Sequence, residues 1–328
     1  MSKPKIGFYW CASCGGCEEA VVDLNEEILH VVEAVDIVLW PCAMDFKHED
    51  LERMEKNEMA VCFINGAIRN SGEAQTVQMI RQKAQLVVAF GSCACSGGVP
   101  GMGNFYNRQE ILENTYCCSP STINPEKTLP QMESAVMEGT VYLPEFLEQT
   151  GTLDQIIPVD FYLPGCPPPV NLVREAIQAI LSGNLPEKGS VLAPDKALCD
   201  TCPRKDSKPE NMLVSEFKRP HQVIIDEEKC LLAQGLLCLG PVTRSGCESA
   251  CPKGNMPCTG CMGPGSRVRD YGAKALSALA SLVDTQNEQD ITHALREVVD
   301  PQGTFYRYSF PASLMNRSKR NNGVLHHE

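Results

Sequence analysis

Cysteine is the residue type in this sequence that is most able to do chemistry, because its thiolate binds metals and carries redox reactions. The chain has 328 residues, of which 18 are cysteines. Three of them stand at every third position in GFYWCASCGGCEEA, residues 7–20, a segment that runs from a predicted strand through a glycine-rich turn into a helix. In an open α/β sheet this turn usually offers backbone N–H groups to a phosphate, so thiols here require another explanation.

The cellular compartment decides how such a cysteine content is interpreted. The N-terminal sequence MSKPKIGFYW has no apolar signal core or twin arginine, and no uncharged apolar run is long enough to span a bilayer. We therefore expect a cytoplasmic protein with no membrane partner. In a reducing compartment, many cysteines favour metal binding over disulfides. The formal net charge of −12 predicts repulsion from nucleic acid, so we expect no such partner.

The first 186 residues alternate apolar runs typical of strands with amphipathic helical segments. The predicted strands are residues 6–10, 37–40, 60–64, 86–90 and 159–163. Apolar residues recur at helical spacing between them, at Val21, Leu24, Ile28 and Val32, at Val77, Ile80 and Ala84, and at Val173, Ile177, Ile180 and Leu181. This pattern predicts an α/β fold with a flavodoxin-like, doubly wound parallel sheet. Residues 100–157 interrupt the alternation and predict a long excursion from the sheet.

Composition changes after the turn residues SGNLPEKGS at 182–190. We expect one domain at residues 1–186 and a second at residues 187–328. Eight cysteines fall between residues 199 and 261, among many glycines and prolines, so this region cannot form much of a core without cross-links. It is predicted to be a small irregular domain, followed by a helix in DYGAKALSALASLVD and the polar tail RSKRNNGVLHHE.

Four cysteines of the first domain follow strands whose ends should share one edge of the sheet. They are Cys14 and Cys17 after the first strand, Cys93 after the fourth and Cys166 after the last. Ligands collect at the carboxyl edge of a parallel sheet, so these thiolates could converge there. Glycines in the same loops favour an iron–sulfur cluster, since they permit close backbone approach, but a structural zinc stays open.

Six further cysteines have less defined roles. Cys11, Cys42 and Cys95 lie in the same edge loops, so their position does not separate them from the other candidate ligands. Cys62 lies inside a predicted strand and is expected to pack in the core. For Cys117 and Cys118, on the excursion, an interface with a partner and idle surface thiols are both open.

Eight cysteines of the second domain make two sets of four. CDTCP contains Cys199 and Cys202, EKCLLAQGLLCLGP contains Cys230 and Cys238, and SGCESACPKGNMPCTGCMGPG contains Cys247, Cys251, Cys258 and Cys261. Paired C-x-x-C spacings indicate metal, although two zinc ribbons and two iron–sulfur clusters are both open. No nucleophile-and-base pair stands out among the six histidines. We therefore expect no catalytic residue in this chain.

Three motifs in this order resemble the small subunit of NiFe hydrogenases: ASCGGC near the start, GSCA followed by GG, and PGCPP after the last strand. The downstream cysteine order is similar to that family as far as CTGC at residues 258–261. Cys199, where many members have a histidine, and the lack of a signal resemble the cytosolic viologen-reducing hydrogenases of methanogens that do not use a deazaflavin. The resemblance covers residues 5 to about 265.

The resemblance implies three iron–sulfur clusters. A proximal 4Fe–4S cluster would take Cys14, Cys17, Cys93 and Cys166, and a distal 4Fe–4S cluster would take Cys199, Cys202, Cys230 and Cys238. A medial cluster would take Cys247, Cys258 and Cys261, with Cys251 as a fourth ligand if it is 4Fe–4S and not 3Fe–4S. Cys11 and Cys95 match no ligand of the family.

In this interpretation the chain conducts electrons. Electrons from H2 oxidation at a NiFe site in a separate large subunit would pass through the three clusters to an acceptor protein. The implied partners are that large subunit, a small iron–sulfur adaptor and heterodisulfide reductase.

Three other classes of protein explain parts of the pattern. The related subunit of quinone-reducing respiratory complexes would keep only the first domain's cysteine set, so the eight cysteines of the second domain argue against it. A zinc-stabilised scaffold would have no redox role, and a flavodoxin-type protein would bind FMN. Anaerobic absorption spectra and iron analysis distinguish these two from an iron–sulfur protein.

Overall fold

The computed structural model describes residues 3–283 and 287–316, and the tail RSKRNNGVLHHE lies outside this range. The strands of the described residues are β1 (Lys5–Trp10), β2 (Asp36–Leu39), β3 (Met59–Asn65), β4 (Ile68–Asn70), β5 (Ala84–Phe90), β6 (Glu133–Val136), β7 (Gly139–Tyr142), β8 (Phe146–Gly151) and β9 (Phe161–Leu163). The α-helices are α1 (Gly16–Val22), α2 (Glu27–Ala34), α3 (His48–Arg53), α4 (Ser71–Lys83), α5 (Gly91–Ser96), α6 (Arg108–Glu113), α7 (Val170–Ser182), α8 (Leu198–Thr201), α9 (Ala250–Lys253), α10 (Tyr271–Ala280), α11 (Glu288–Ala294) and α12 (Pro301–Phe305).

The centre of the fold is a five-stranded sheet in the order β2-β1-β3-β5-β9. Every pair in it is parallel. All five strands predicted from the sequence form this sheet, with boundaries that differ by up to two residues. The order is that of a flavodoxin-like, doubly wound fold. The predicted α/β class and parallel sheet are therefore confirmed.

Apolar side chains cover both faces of the sheet, because successive residues of a strand point to opposite sides. On one face, Phe63 of β3 packs in a core completed by α1 and α7. On the other face, Cys62 and Ile64 pack in a core completed by α4. Cys62 is fully buried, as expected for a packing residue. Both faces being covered explains why the strands are apolar throughout.

Two helical predictions need correction. The apolar spacing from Val21 to Val32 belongs to two helices, α1 and α2, and not to one. Asn25 lies between them with a left-handed φ of 52°, a conformation that asparagine tolerates and that ends the first helix. Ala84, at helical spacing from Ile80, is the first residue of β5.

The excursion predicted for residues 100–157 is present. It contains a 3₁₀ helix at Val99–Phe105, α6, a π-helical turn at Asn114–Cys118 and the hairpin of β6 and β7. It returns to the body of the protein through β8, which pairs with β4. None of its strands joins the five-stranded sheet.

The region after residue 187 has a small apolar core of its own. Phe217, Tyr271, Phe305 and Phe310 are buried there, and the ring of Phe310 stacks on Phe105 of the excursion with centroids 3.9 Å apart. Residues after the last cysteine supply three of these side chains, and the expectation that this region needs cross-links stays a prediction. The helix predicted in DYGAKALSALASLVD is confirmed as α10, and its last residue lies outside the described range.

The two regions also share a core. Met262 is buried in the cluster that contains α1 and α7, and Cys247 and Cys261 pack against that cluster. The domain boundary near residue 186 stays a prediction. Among the described residues, every helix is too short or too polar to cross a membrane.

Asp160, just before β9, joins three parts of the sheet region. Its carboxylate accepts hydrogen bonds from Arg81 Nη1 at 2.6 Å, Lys188 Nζ at 2.7 Å and the backbone N–H of Val87 at 2.8 Å. Burial by itself raises the pKa of Asp160, but the bonds from Lys188, Arg81 and Val87 outweigh it and the net pKa is lowered. The ionised carboxylate therefore stabilises the fold.

We expect Asp160→Asn to lower the free energy of unfolding at pH 7 by about 1–3 kcal/mol, because a charge-assisted network is lost. The lowered pKa means that Asp160 stabilises the fold fully above its unfolded pKa of about 3.9. The difference between parent and variant should be constant from pH 7 to 5 and shrink as the pH falls further. Anaerobic thermal melts across this range measure it, with exposed Asp45→Asn as the control. A gap that grows on acidification would contradict the assignment.

Candidate metal centres

The sheet positions the first set of cysteines at its carboxyl edge. Cys14 lies in the loop after β1 and Cys17 in the first turn of α1. Cys93 is in α5, which follows β5 directly, and Cys166 is in the loop between β9 and α7. Cys17 and Cys93 are buried, whereas Cys14 and Cys166 are exposed. The group therefore lies at the surface of the protein, with half of its thiols turned inward.

These four thiols lie close enough to affect one another. Burial raises the pKa of Cys17, and the charges of Cys93, Cys166, Cys95 and Cys14, in that order, add to the rise. Burial and the charges of Cys166 and Cys14 raise the pKa of Cys93 to about 12. Forming thiolates here therefore needs a positive partner, as a bound metal provides. The structure brings the predicted proximal residues together, and their role as metal ligands stays a prediction.

Glycines leave room around the sulfur atoms of this group. Gly91 has a φ of 86°, and a Cβ at its position would overlap Cys17 Sγ. Gly98 has a φ of 55°, and a Cβ there would overlap Cys93 Sγ. Only glycine permits both this backbone conformation and this approach. An all-thiol donor set with bare backbone against the sulfurs fits an iron–sulfur cluster.

Glu18, beside Cys17, is a functional candidate that sequence reasoning missed. It is buried, and its carboxylate accepts hydrogen bonds from Trp40 Nε1 and Asn65 Nδ2. Asn65 in turn accepts a hydrogen bond from Ser13 Oγ at 2.9 Å. Burial raises the pKa of Glu18 and these two bonds oppose the rise. The network ties the Cys14–Cys17 loop to the ends of β2 and β3. The sequence signal that could have pointed to Glu18 is the acidic pair Glu18 and Glu19 directly after CGGC.

The predicted distal cysteines lie around a cavity of about 30 Å³. Its lining includes Cys199, Cys202, Cys230, Cys238, Arg204 and Lys208. Burial and the charge of Cys238 raise the pKa of Cys199 to about 12, while Lys208 opposes the rise. Gly240 also borders the sulfurs, since a Cβ there would lie 3.3 Å from Cys199 Sγ.

The predicted medial cysteines form a third group. Burial raises the pKa of Cys261 to about 12, and the charges of Cys247, Cys166 and Cys251 add to the rise. The backbone N–H of Cys166 opposes it. Burial and the charge of Cys247 raise the pKa of Cys251, which lies in α9. Burial, then the charge of Cys238 of the distal group, and to a smaller extent the charge of Cys261 raise the pKa of Cys258. Cys251 thus lies near the other members, although its role as a ligand stays a prediction.

The medial group lies between the other two. On one side, Ser92 Oγ, next to Cys93, donates to the Cys261 carbonyl at 2.5 Å, and the backbone N–H of Cys166 opposes the rise in the pKa of Cys261. On the other side, the backbone N–H of Cys258 donates to Cys238 Sγ at 3.3 Å. The three cysteine groups therefore form a continuous series, linked on the proximal side through Cys261 and on the distal side by a backbone N–H that contacts a sulfur atom.

The other cysteines occupy different surroundings. Cys11 is buried with Cys62 in the core on the α4 face of the sheet. Cys95 Sγ donates to the carbonyl of Ala89 at 3.3 Å. Cys42 and Cys118 are exposed, and Cys117 is half-buried. In the part of the chain that the structure describes, no three histidine, cysteine or carboxylate side chains are placed to hold a single metal ion.

Substituting Gly91 should remove the metal of the proximal group. We expect Gly91→Ala to displace Cys17 Sγ and to lower the iron content by about four of about twelve atoms per chain. Gly189→Ala is the matched control, because Gly189 has a φ of 90° but open space around the Cβ position. Both variants carry a similar backbone strain of about 1–2 kcal/mol. Iron analysis of anaerobically purified protein compares them, and equal iron in the two would refute the proximal assignment.

Comparison with known proteins identifies the family. Residues 14–180 match the family "NADH ubiquinone oxidoreductase, 20 Kd subunit". The chain is 42% identical over 316 residues to the iron–sulfur subunit of the F420-non-reducing hydrogenase of Archaeoglobus profundus, covering 95% of this chain and 98% of the relative. It is 37% identical over 318 residues to the corresponding subunit of the F420-non-reducing hydrogenase of Methanothermobacter thermautotrophicus, covering 95% and 96%.

A solved structure supports the fold. A chain of the [NiFeSe] hydrogenase from Desulfovibrio vulgaris Hildenborough aligns with a TM-score of 0.52 at 15% identity, covering 81% of this chain and 95% of that one. The resemblance inferred from the cysteine motifs is confirmed by the full-length relatives. This chain therefore belongs to the family of NiFe hydrogenase small subunits, among those of the F420-non-reducing hydrogenases.

Proposed function

We propose that this chain relays electrons from H2 oxidation at the NiFe site of a large subunit to an acceptor protein. The observation that carries the proposal is the continuous series of three cysteine groups, with the medial group in contact with both others. Iron–sulfur clusters held by these thiolates would supply one-electron redox chemistry. The protein's own contribution is to fix the positions of the thiols and to exclude water from the buried ones.

The large subunit is proposed to cover the proximal group. Cys14 and Cys166 are exposed at the sheet edge, and Trp10 beside them has 41% of its surface exposed. The Trp10 ring faces the bare Cα of Gly15, 3.2 Å from where a Cβ would stand. Aromatic residues are enriched in protein interfaces, so an exposed tryptophan next to exposed thiols suits a partner whose redox site must approach closely.

The acceptor is proposed to dock near the distal group, at the other end of the series. The names of the relatives state that those hydrogenases do not reduce F420. We therefore propose a protein acceptor, namely a small iron–sulfur adaptor subunit and then heterodisulfide reductase. This assembly would work in the cytoplasm, with residues 1–186 and 187–328 as its two domains.

The number of iron atoms in the medial cluster depends on Cys251. Four ligands are proposed, because the charges of Cys251 and Cys247 both raise the pKa of Cys261 and Cys251 therefore lies near the other medial thiols. Three 4Fe–4S clusters are therefore proposed, held by the proximal, medial and distal groups. If Cys251 is not a ligand, the medial cluster would be 3Fe–4S.

A quinone reductase is the second function to consider, because the description of the matched family names a subunit of NADH–ubiquinone oxidoreductase. That match covers residues 14–180 and so contains, of the twelve candidate ligands, only the four proximal ones. The relatives that align over 95% of the chain, including its other eight candidate ligands, are hydrogenase subunits. The hydrogenase function is therefore favoured over a quinone reductase.

Anaerobic co-purification tests the function directly. A tagged chain isolated from its native source should elute with a nickel-containing subunit, and H2 should bleach its broad brown absorbance. We expect about twelve iron atoms and as many acid-labile sulfides per chain. A brown chain that never brings nickel would contradict a hydrogenase, and colourless, iron-free protein would favour the zinc scaffold.

Replacing Cys251 tests the medial cluster. We expect Cys251→Ala to lower the iron content from about twelve to about eleven atoms per chain, because a 4Fe–4S cluster that lacks one ligand loses the iron it held. The oxidised variant should also gain the EPR signal of a 3Fe–4S centre. Cys118→Ala, at an exposed thiol of the excursion, is the control. Identical iron and spectra in both variants would exclude Cys251 as a ligand.

A further inference from the structure

Arg204 is a buried cation in the region after residue 187. It follows Cys202 by two residues, and only 5% of its surface is exposed. Its guanidinium donates four hydrogen bonds, to the carbonyl oxygens of Asp226 at 2.9 Å, Lys229 at 3.2 Å and Pro252 at 3.0 Å, and to Asn255 Oδ1 at 2.8 Å. Arginine is rarely this buried unless it is paired.

The acceptors of Arg204 belong to segments that carry candidate ligands of two different centres. Lys229 directly precedes Cys230 of the distal group, and Pro252 directly follows Cys251 of the medial group. Ser207 adds a second link, because its hydroxyl donates to the Arg204 carbonyl and accepts from the N–H of Cys230, both at 2.7 Å. One side chain thus fixes a distal loop against a medial loop.

The charge of Arg204 has no acidic partner in the part of the chain described here. Three of its acceptors are carbonyl oxygens and the fourth is an amide, and none of the ion pairs among residues 3–283 and 287–316 includes it. Arg204 also lines the cavity that the four distal cysteines surround. Lys208 lines the same cavity and opposes the rise in the pKa of Cys199, so thiolates there would face two cations, of which Arg204 is the buried one.

We propose that Arg204 is the positioning residue that holds the distal and medial ligand loops in register and neutralises part of the charge of the distal thiolates. This inference rests on the proposed function, since it requires metal at both groups. A planar guanidinium can donate to four acceptors at once. A lysine supplies the same charge but cannot reproduce this planar set of donors. The two roles are therefore separable by substitution.

The experiment compares Arg204→Met and Arg204→Lys in the intact anaerobic complex. EPR-monitored redox titration measures the midpoint potential of each centre, and power saturation measures the spin–spin interaction of the medial and distal centres. We expect Arg204→Met to lower the reduction equilibrium constant of the distal centre about tenfold, or about 59 mV for one electron. Arg204→Lys should keep the parental midpoint, but both variants should show an altered spin–spin interaction.

The control is Arg69→Met. Arg69 is also buried, donates to Thr150 Oγ1 at 3.0 Å and lies over the Phe146 ring at 4.1 Å, so its loss should move neither readout. An Arg204→Met variant with complete iron and both parental readouts overturns the inference but leaves the proposed function intact. If that variant loses its distal iron, the lysine variant decides: a parental midpoint supports the inference, and a tenfold change overturns it. Parent protein without iron contradicts the proposed function instead.

Discussion

The cost of burying an ionised thiol is the physical constraint on which this structure depends. Burial raises the pKa of Cys17, Cys93, Cys199 and Cys261, and neighbouring thiols add to the rise in each case. The cysteines of these loops are therefore stable when they are protonated or when they bind a cation, and unstable as thiolates without one. In the proposed assembly, metal uptake and the final packing of these loops are one coupled process.

The sheet and the proximal group follow from local sequence patterns. A parallel sheet brings its carboxyl ends to one edge, so knowing the strands before Cys14, Cys93 and Cys166 was enough to predict that these residues meet. The glycines can be read from the sequence. The close approach of Gly91 to Cys17 Sγ, however, is a contact between segments more than seventy residues apart. Sequence therefore predicts which segments converge, and the structure is needed to show which atoms touch.

The rest could not be predicted because it depends on contacts between distant segments. The break between α1 and α2 rests on one left-handed residue, Asn25, inside an apolar pattern that continues through it. The support of Glu18 comes from Trp40, directly after β2, and from Asn65 at the end of β3. The second region draws its aromatic core from Phe217, from residues after the last cysteine and from Phe105 of the excursion. The helical and strand periodicity of the sequence does not indicate such contacts between distant side chains.

The links between the cysteine groups are made by the backbone, and this has a consequence for electron relay. The N–H of Cys258 donates to Cys238 Sγ at 3.3 Å. The N–H groups of Cys166 and Cys258 favour the thiolates of Cys261 and Cys238 by opposing the effect of burial on their pKa values. Main-chain atoms beside a ligand move less than a long side chain, since the ligand's own attachment fixes them. In the proposed relay, the closest approach between neighbouring centres is therefore set by the same short segments that hold the metal, together with the Arg204 side chain that fixes the distal loop against the medial loop.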